Sequence, residues 1–149
     1  GYVLGDYTIP RADVPTPDRW ARRAVEAYDD HHADCMVAEG NQGGELVTGV
    51  IRSVRPLINV KKVTAKFGKR TRAEPIAALY EQGRVHHIGT WPKLEDQLVT
   101  WIPDSGESPD RLDALVWAFT ELGLANPPRT APLVGPGGGP ETSYWRRAG

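Results

Sequence analysis

Ser108-Pro109-Asp110-Arg111-Leu112-Asp113-Ala114-Leu115-Val116-Trp117-Ala118-Phe119 is the stretch on which the reading of the fold turns. Ser108 is the expected N-cap and Pro109 suits the first helical position, where its missing N–H costs nothing and its fixed φ is already helical. The residues that follow are apolar almost all the way round, the mark of a helix covered on most sides. Asp110 and Asp113 stand three apart, so both carboxylates lie on roughly one face. The helix dipole accounts for Asp110, since an acid in the first turn is favoured by about 0.3–1 kcal/mol. Asp113 has no such account: Trp117 stands where a base four positions on would pair with it, and Leu112, Leu115, Val116 and Phe119 read as core. A buried carboxylate must find a cation or a proton, because leaving it unpaired costs several kcal/mol.

Outward from that helix the pattern alternates. Leu94 to Trp101 reads as a short helix and Arg84 to Ile88 as a strand. Thr71 to Gly83 is a helix with Ile76, Ala77, Leu79 and Tyr80 inward and Gly83 as its stop. Ile58 to Ala65 is a strand, Glu45 to about Val54 a helix, and Cys35 to Ala38 a buried strand running into Glu39-Gly40-Asn41-Gln42-Gly43-Gly44. Thr16-Pro17-Asp18 opens a helix that reaches about His32, and Gly1 to Ile9 alternates as a strand. This alternation predicts an α/β fold with at least part of its sheet parallel, in which ligands gather at the carboxyl ends of strands. Residues 125–149 are rich in Pro and Gly without periodicity and read as a flexible tail, and no internal repeat is seen.

A chain of 149 residues that is 40% hydrophobic holds one compact domain rather than two. A net charge of -1 excludes a generally basic nucleic-acid binder and leaves only local patches. Cys35 is the single cysteine, which excludes a disulfide framework and a thiolate zinc site. No apolar run approaches the ~20 residues a membrane span needs, and no signal peptide opens the chain. The expectation is a soluble, intracellular protein.

Glu39 ends a buried strand just before a glycine-rich turn, so its carboxylate sits on rigid backbone with room beside it. With Asp113, and Asp110 close by, it forms a candidate oxygen-only set for Mg²⁺ or Mn²⁺, and two such ions about 4 Å apart can drive phosphodiester cleavage. Arg52, Arg55, Lys61, Lys62, Lys66, Lys69, Arg70 and Arg72 form a block with no acid among them, either a solvated face or a track for a phosphate backbone. Phe67-Gly68-Lys69-Arg70-Thr71 resembles the end of a P-loop only superficially, because position 63 holds Val rather than Gly. His31-His32 and His86-His87 read as surface or packing residues, since neighbours on a strand point to opposite faces. Trp20, Trp91, Trp101 and Trp117 read mostly as core.

Four blocks together resemble the nuclease domain of the large terminase subunit of tailed bacteriophages: GYVLGDYT with WARRAVEAY, MVAEGNQGG, GKRTRAEPIAALYEQGRVHH and SPDRLDALVWAFTEL. The resemblance covers residues 1–124. It implies a ribonuclease H-like fold, a mixed sheet flanked by helices, here without the first two strands of the family. It also implies a domain that cuts double-stranded DNA during packaging with two Mg²⁺ or Mn²⁺ ions held by three acids. The middle acid matches Glu39 and the last matches Asp113, with Asp110 as an additional ligand. The family's first acid, on an initial strand, is not matched, and Asp6 is not carried over to it. Cleavage by this chain alone is therefore expected to be impaired. Lys66, Lys69, Arg70 and Arg72 are implied to lie near DNA. The expected partners are DNA, the portal and the small terminase subunit, in the cytoplasm of a bacterial host. A catalytically inactive DNA-binding or assembly module, or another ribonuclease H-like nuclease of resolvase or transposase type, are the alternative readings.

Overall fold

A computed structural model describes residues 1–10, 16–40, 44–103 and 109–124. In chain order the elements are β1 (Tyr2–Val3), α1 (Pro17–Asp30), β2 (Met36–Glu39), α2 (Gly44–Val54), β3 (Val60–Val63), α3 (Lys69–Glu81), β4 (His86–His87), α4 (Pro92–Thr100) and α5 (Asp110–Glu121). Every helix anticipated from the sequence is present, within a few residues at each end. The alternation gives the expected α/β arrangement.

The strands are shorter than the sequence pattern predicts. Gly1 to Ile9 yields only β1, because the chain turns on itself at Asp6: its carboxylate Oδ1 accepts the Thr8 backbone N–H at 3.0 Å and the Thr8 hydroxyl at 2.5 Å. Such a local side-chain bond competes with a sheet ladder and wins here. The described strands form two parallel pairs, β1 with β4 and β2 with β3, rather than one continuous sheet.

Helix ends follow their capping chemistry. The Thr16 hydroxyl accepts the Arg19 N–H at 3.3 Å with Pro17 at the first turn of α1, as the sequence indicated. At the ends of α3 and α5, Gly83 (φ 64) and Gly123 (φ 72) take the left-handed conformation. Each is followed by a backbone bond that closes the helix, Arg84 N–H to the Leu79 carbonyl and Leu124 N–H to the Phe119 carbonyl. The start of α5 departs from expectation. Pro109 occupies the cap position rather than the first helical turn and offers no side-chain bond, and Ser108 lies outside the described residues.

Two apolar clusters hold the elements together. One gathers Leu112, Leu115, Val116 and Phe119 of α5 with Ile76 and Leu79 of α3, Leu94 of α4, and Val3 and Val85. The other gathers Ala21 and Val25 of α1 with Ile51 of α2 and Ile58, and Trp20, Tyr28, Met36 and Val60 pack against it. Helix α5 also lies against β2, which joins the two. The 125–149 segment read as a tail lies outside the described residues. No helix among the described residues is long and apolar enough to cross a membrane.

Candidate functional site

Glu39 is the last residue of β2, exposed, and in register with Val63 at the end of β3. The ladder closes just beyond it, with the Gly40 N–H donating to the Val63 carbonyl at 2.8 Å. Its carboxylate therefore stands at the carboxyl end of a parallel pair, as expected. Residues 41–43 of the glycine-rich turn lie outside the described residues.

The ion pairs of α5 show which element each of its ends meets. Glu121, at the far end of α5, pairs with Lys61 near the middle of β3. Asp113, about 12 Å back along the helix axis at 1.5 Å per residue, pairs instead with Lys69 and Arg72 in the first turn of α3. That turn follows the carboxyl end of β3 by six residues. Helix α5 thus meets β3 through Glu121 and the first turn of α3 through Asp113.

Asp113 is 16% exposed and does not stand alone as a buried anion. Its Oδ2 lies 2.5 Å from the Lys69 ammonium, and its Oδ1 lies 3.4 Å from Nη2 of Arg72. The reason is visible in α3. Lys69, Arg70 and Arg72 all fall in its first turn, no acid does, and the cap residue Gly68 has no side chain to offer. Cations at a helix N-terminus work against the dipole, so α3 needs an acid from elsewhere. Asp113 supplies it.

Arg72 is the second half of this arrangement. Its side chain is only 10% exposed and its guanidinium lies over the Trp117 ring, 4.5 Å from the centroid. Its Nε and Nη1 are buried without a hydrogen-bond partner among the described residues. Burial removes Arg72 from the set expected to face DNA, and its spacing one turn from the cap of α3 explains why: it points inward toward α5. Lys66 is exposed, Lys69 is 40% exposed, and Arg70 is largely exposed and paired with Glu74. The wider basic block is also met by acids from other elements. Arg55 pairs with Asp29 of α1, Lys62 with Glu45 of α2, and Lys61 with Glu121.

Asp110 is exposed on the first residue of α5, consistent with a dipole role. All these donors are oxygens, which suits a hard divalent cation. Their number falls short: among the described residues no three His, Cys, Asp or Glu side chains gather to hold a metal.

Three features of the site's support escaped the sequence. Gln97 of α4 accepts the Arg111 and Leu112 N–H groups through Oε1 at 3.0 and 3.1 Å, capping α5 from outside. Arg111 Nε reaches Asp6 Oδ2 at 2.7 Å across the fold. Burial pushes the Asp6 carboxyl up, but the bonds from Thr8 and Arg111 outweigh it and leave it below the ordinary range. In the third, Glu95 Oε1 accepts the Trp91 N–H at 3.0 Å and lies 3.0 Å from Nδ1 of His87, whose Nε2 lies 2.8 Å from the Tyr80 hydroxyl. The Trp91 and His87 bonds hold Glu95 below its usual value, while desolvation, aided by the Glu95 charge, pushes Tyr80 up to about 12. His87 is thus a packing residue with a defined network. Apart from the local Asp6–Thr8 and Trp91–Glu95 pairs, these partners are seven or more residues apart in sequence.

No curated protein and no solved structure matches the chain. A family model described as a terminase RNaseH-like domain matches residues 7–122, which takes in α1 to α5 and both Glu39 and Asp113. By that match, over most of its length, the chain belongs to the terminase RNaseH-like domain family.

Proposed function

We propose that the chain is the nuclease part of a phage DNA-packaging terminase, acting in the host cytoplasm on double-stranded DNA by metal-dependent phosphodiester hydrolysis. The observation that supports the reading is the match to a terminase RNaseH-like domain over residues 7–122, a span that holds Glu39 at the carboxyl end of β2 and Asp113 near the start of α5. Glu39 and Asp113, with Asp110 on the same helix as Asp113, are the carboxylates that would hold Mg²⁺ or Mn²⁺. Bound there, such a cation acidifies water and stabilises charge on phosphate oxygens.

The rest of the work falls to the chain itself. Arg72, buried and stacked on Trp117, fixes the orientation of the Asp113 carboxylate. Lys66, Lys69 and Arg70 present cations between β3 and the first turn of α3, where DNA phosphates would be met. The portal and the small terminase subunit are the partners this role requires.

Nicking of supercoiled DNA in Mn²⁺ tests the proposal. The chain should nick weakly, and Glu39→Gln and Asp113→Asn should each lower the rate by about 100-fold, the scale of losing a group that stabilises the transition state. DNA binding without nicking by the unsubstituted chain would support the inactive binding module instead.

A further inference from the structure

We propose that Phe67 is a stacking platform for an unpaired DNA base, flanked by the cations that hold the strand's phosphates. The inference rests on the DNA-binding half of the function proposed above and not on the metal.

Of the described aromatic residues, Phe67 alone joins neither apolar cluster and has no ring partner among the described residues. It is 67% exposed. Tyr2, the other aromatic left so open to solvent, covers one face with His86, their ring centroids 5.2 Å apart. The next residue leaves room beside Phe67, since a side-chain carbon placed at Gly68 would meet no heavy atom within 4 Å.

Single exposed aliphatic residues such as Leu57 and Val99 are common on protein surfaces and need no ligand. Phe67 differs in its company. It stands in the connection between β3 and α3, after Lys66 and before Lys69 and Arg70, in a stretch that holds no acid from Glu45 to Glu74. Lys66 is exposed and meets no acid among the described residues. These charges decide what can cover the ring. A second copy of this face would bring like charges together, and an apolar partner would strip water from the cations and offer nothing in return. A strand of nucleic acid carries anions and flat apolar faces in one molecule and meets both demands. In an intact duplex the base faces are covered by their neighbours, so the ring selects DNA whose bases are unpaired, as at a frayed end or a gap. The placement suits the candidate site: Phe67 is four residues beyond Val63, the ladder partner of Glu39, and so no more than about 14 Å from it along the chain.

Fluorescence anisotropy of labelled DNA with the full chain, in EDTA so that no cleavage occurs, tests the stacking. Two single strands of equal length serve as probes, an oligothymidylate and an abasic strand with the same phosphates. The unsubstituted chain should bind the thymidylate strand at least about fivefold tighter than the abasic one, the lower end of what one stacked base contributes. Phe67→Ala and Phe67→Leu should each erase that difference, and Phe67→Trp should keep it. A long duplex should lose less than about twofold in affinity on Phe67→Ala. Lys66→Met should weaken both single strands alike and reduce the slope of log affinity against log salt by about 0.7, a slope that Phe67→Ala leaves unchanged. Thermal melts confirm that each variant is folded. If Phe67→Ala keeps the preference for the thymidylate strand, the stacking is wrong and the DNA reading stands. Equal binding of both strands by the unsubstituted chain would make this a face for any polyanion, an acidic protein included, and also overturns the stacking. If the unsubstituted chain binds neither single strands nor duplex at low salt, the DNA reading fails and the stacking with it.

Discussion

Around α5, Leu112, Val116 and Phe119 pack with Ile76, Leu79 and Leu94, and the rim of that cluster draws ion pairs inward: Arg72 with Asp113, and Arg111 with Asp6. Around α1 and α2, Ala21, Val25, Ile51 and Ile58 pack just as tightly, but the ion pairs beside them, Arg22 with Asp18 and Arg23 with Glu26, stay in solvent. Both clusters supply the apolar burial that a fold needs. Only the first also bears the cost of desolvating charge. Packing alone gives no reason for that difference, since a well-fitted apolar residue would often serve stability as well as a buried pair. The asymmetry sets the α5 side, where carboxylates meet cations largely out of solvent, apart from the α1–α2 side, where they meet in it.

Matched substitutions in the two interiors probe the half of the comparison in which they agree. Ile76→Ala and Ile51→Ala, at 1% and 2% exposure, should each cost about 2–5 kcal/mol in urea unfolding. The clusters share no residue, so the double variant should equal the sum within about 0.5 kcal/mol. Two separate transitions would mean that α5 and β2 do not couple the cores, and the comparison would become one between independent units.

Arginine substitutions probe the half in which they differ. Arg72→Ala loses the stack on Trp117 and the contact to Asp113, which keeps Lys69, and should cost about 2–3 kcal/mol. Arg22→Ala breaks a pair in which both side chains are more than 60% exposed and should leave the urea midpoint unchanged. Equal effects would remove the distinction between the two rims.

A smaller, pH-dependent effect sharpens it further. The Asp6 carboxyl lies below its ordinary value, so its contribution is complete above the unfolded-state pKa and is lost as pH falls through the lower folded value. Asp6→Asn should cost about 1–2 kcal/mol at neutral pH and flatten the acid side of the stability profile below about pH 4. An unchanged acid limb would show that the Asp6–Arg111 pair adds nothing to folding.

Element type was legible because the apolar spacing of α1 and α2 is strong, and because Gly83 and Thr16-Pro17 signal helix ends by their own chemistry. Strand extent was not. Alternation through Gly1 to Ile9 looks the same whether or not Asp6 folds back onto Thr8. The position of Glu39 followed from local sequence, since an apolar run ending in an acid and glycines leaves few choices, although in the fold that run is only half-buried. That Asp113 needs a cation was also readable from its apolar neighbours. Which cation it finds was not, because Lys69 and Arg72 lie more than 40 positions away and only the packing of α3 on α5 brings them near. The reading of Arg72 as a DNA contact failed for the same reason: a basic run in sequence does not reveal that one member stacks on Trp117.

Helix α5 does not fasten its own beginning; Gln97 does so from α4. The height of Asp113 along its axis is therefore set by a neighbouring helix, and a small slide of α4 would carry the acid with it. Whatever pushes on the exposed side of α4, where Val99 stands 82% exposed, has a mechanical lever on Asp113.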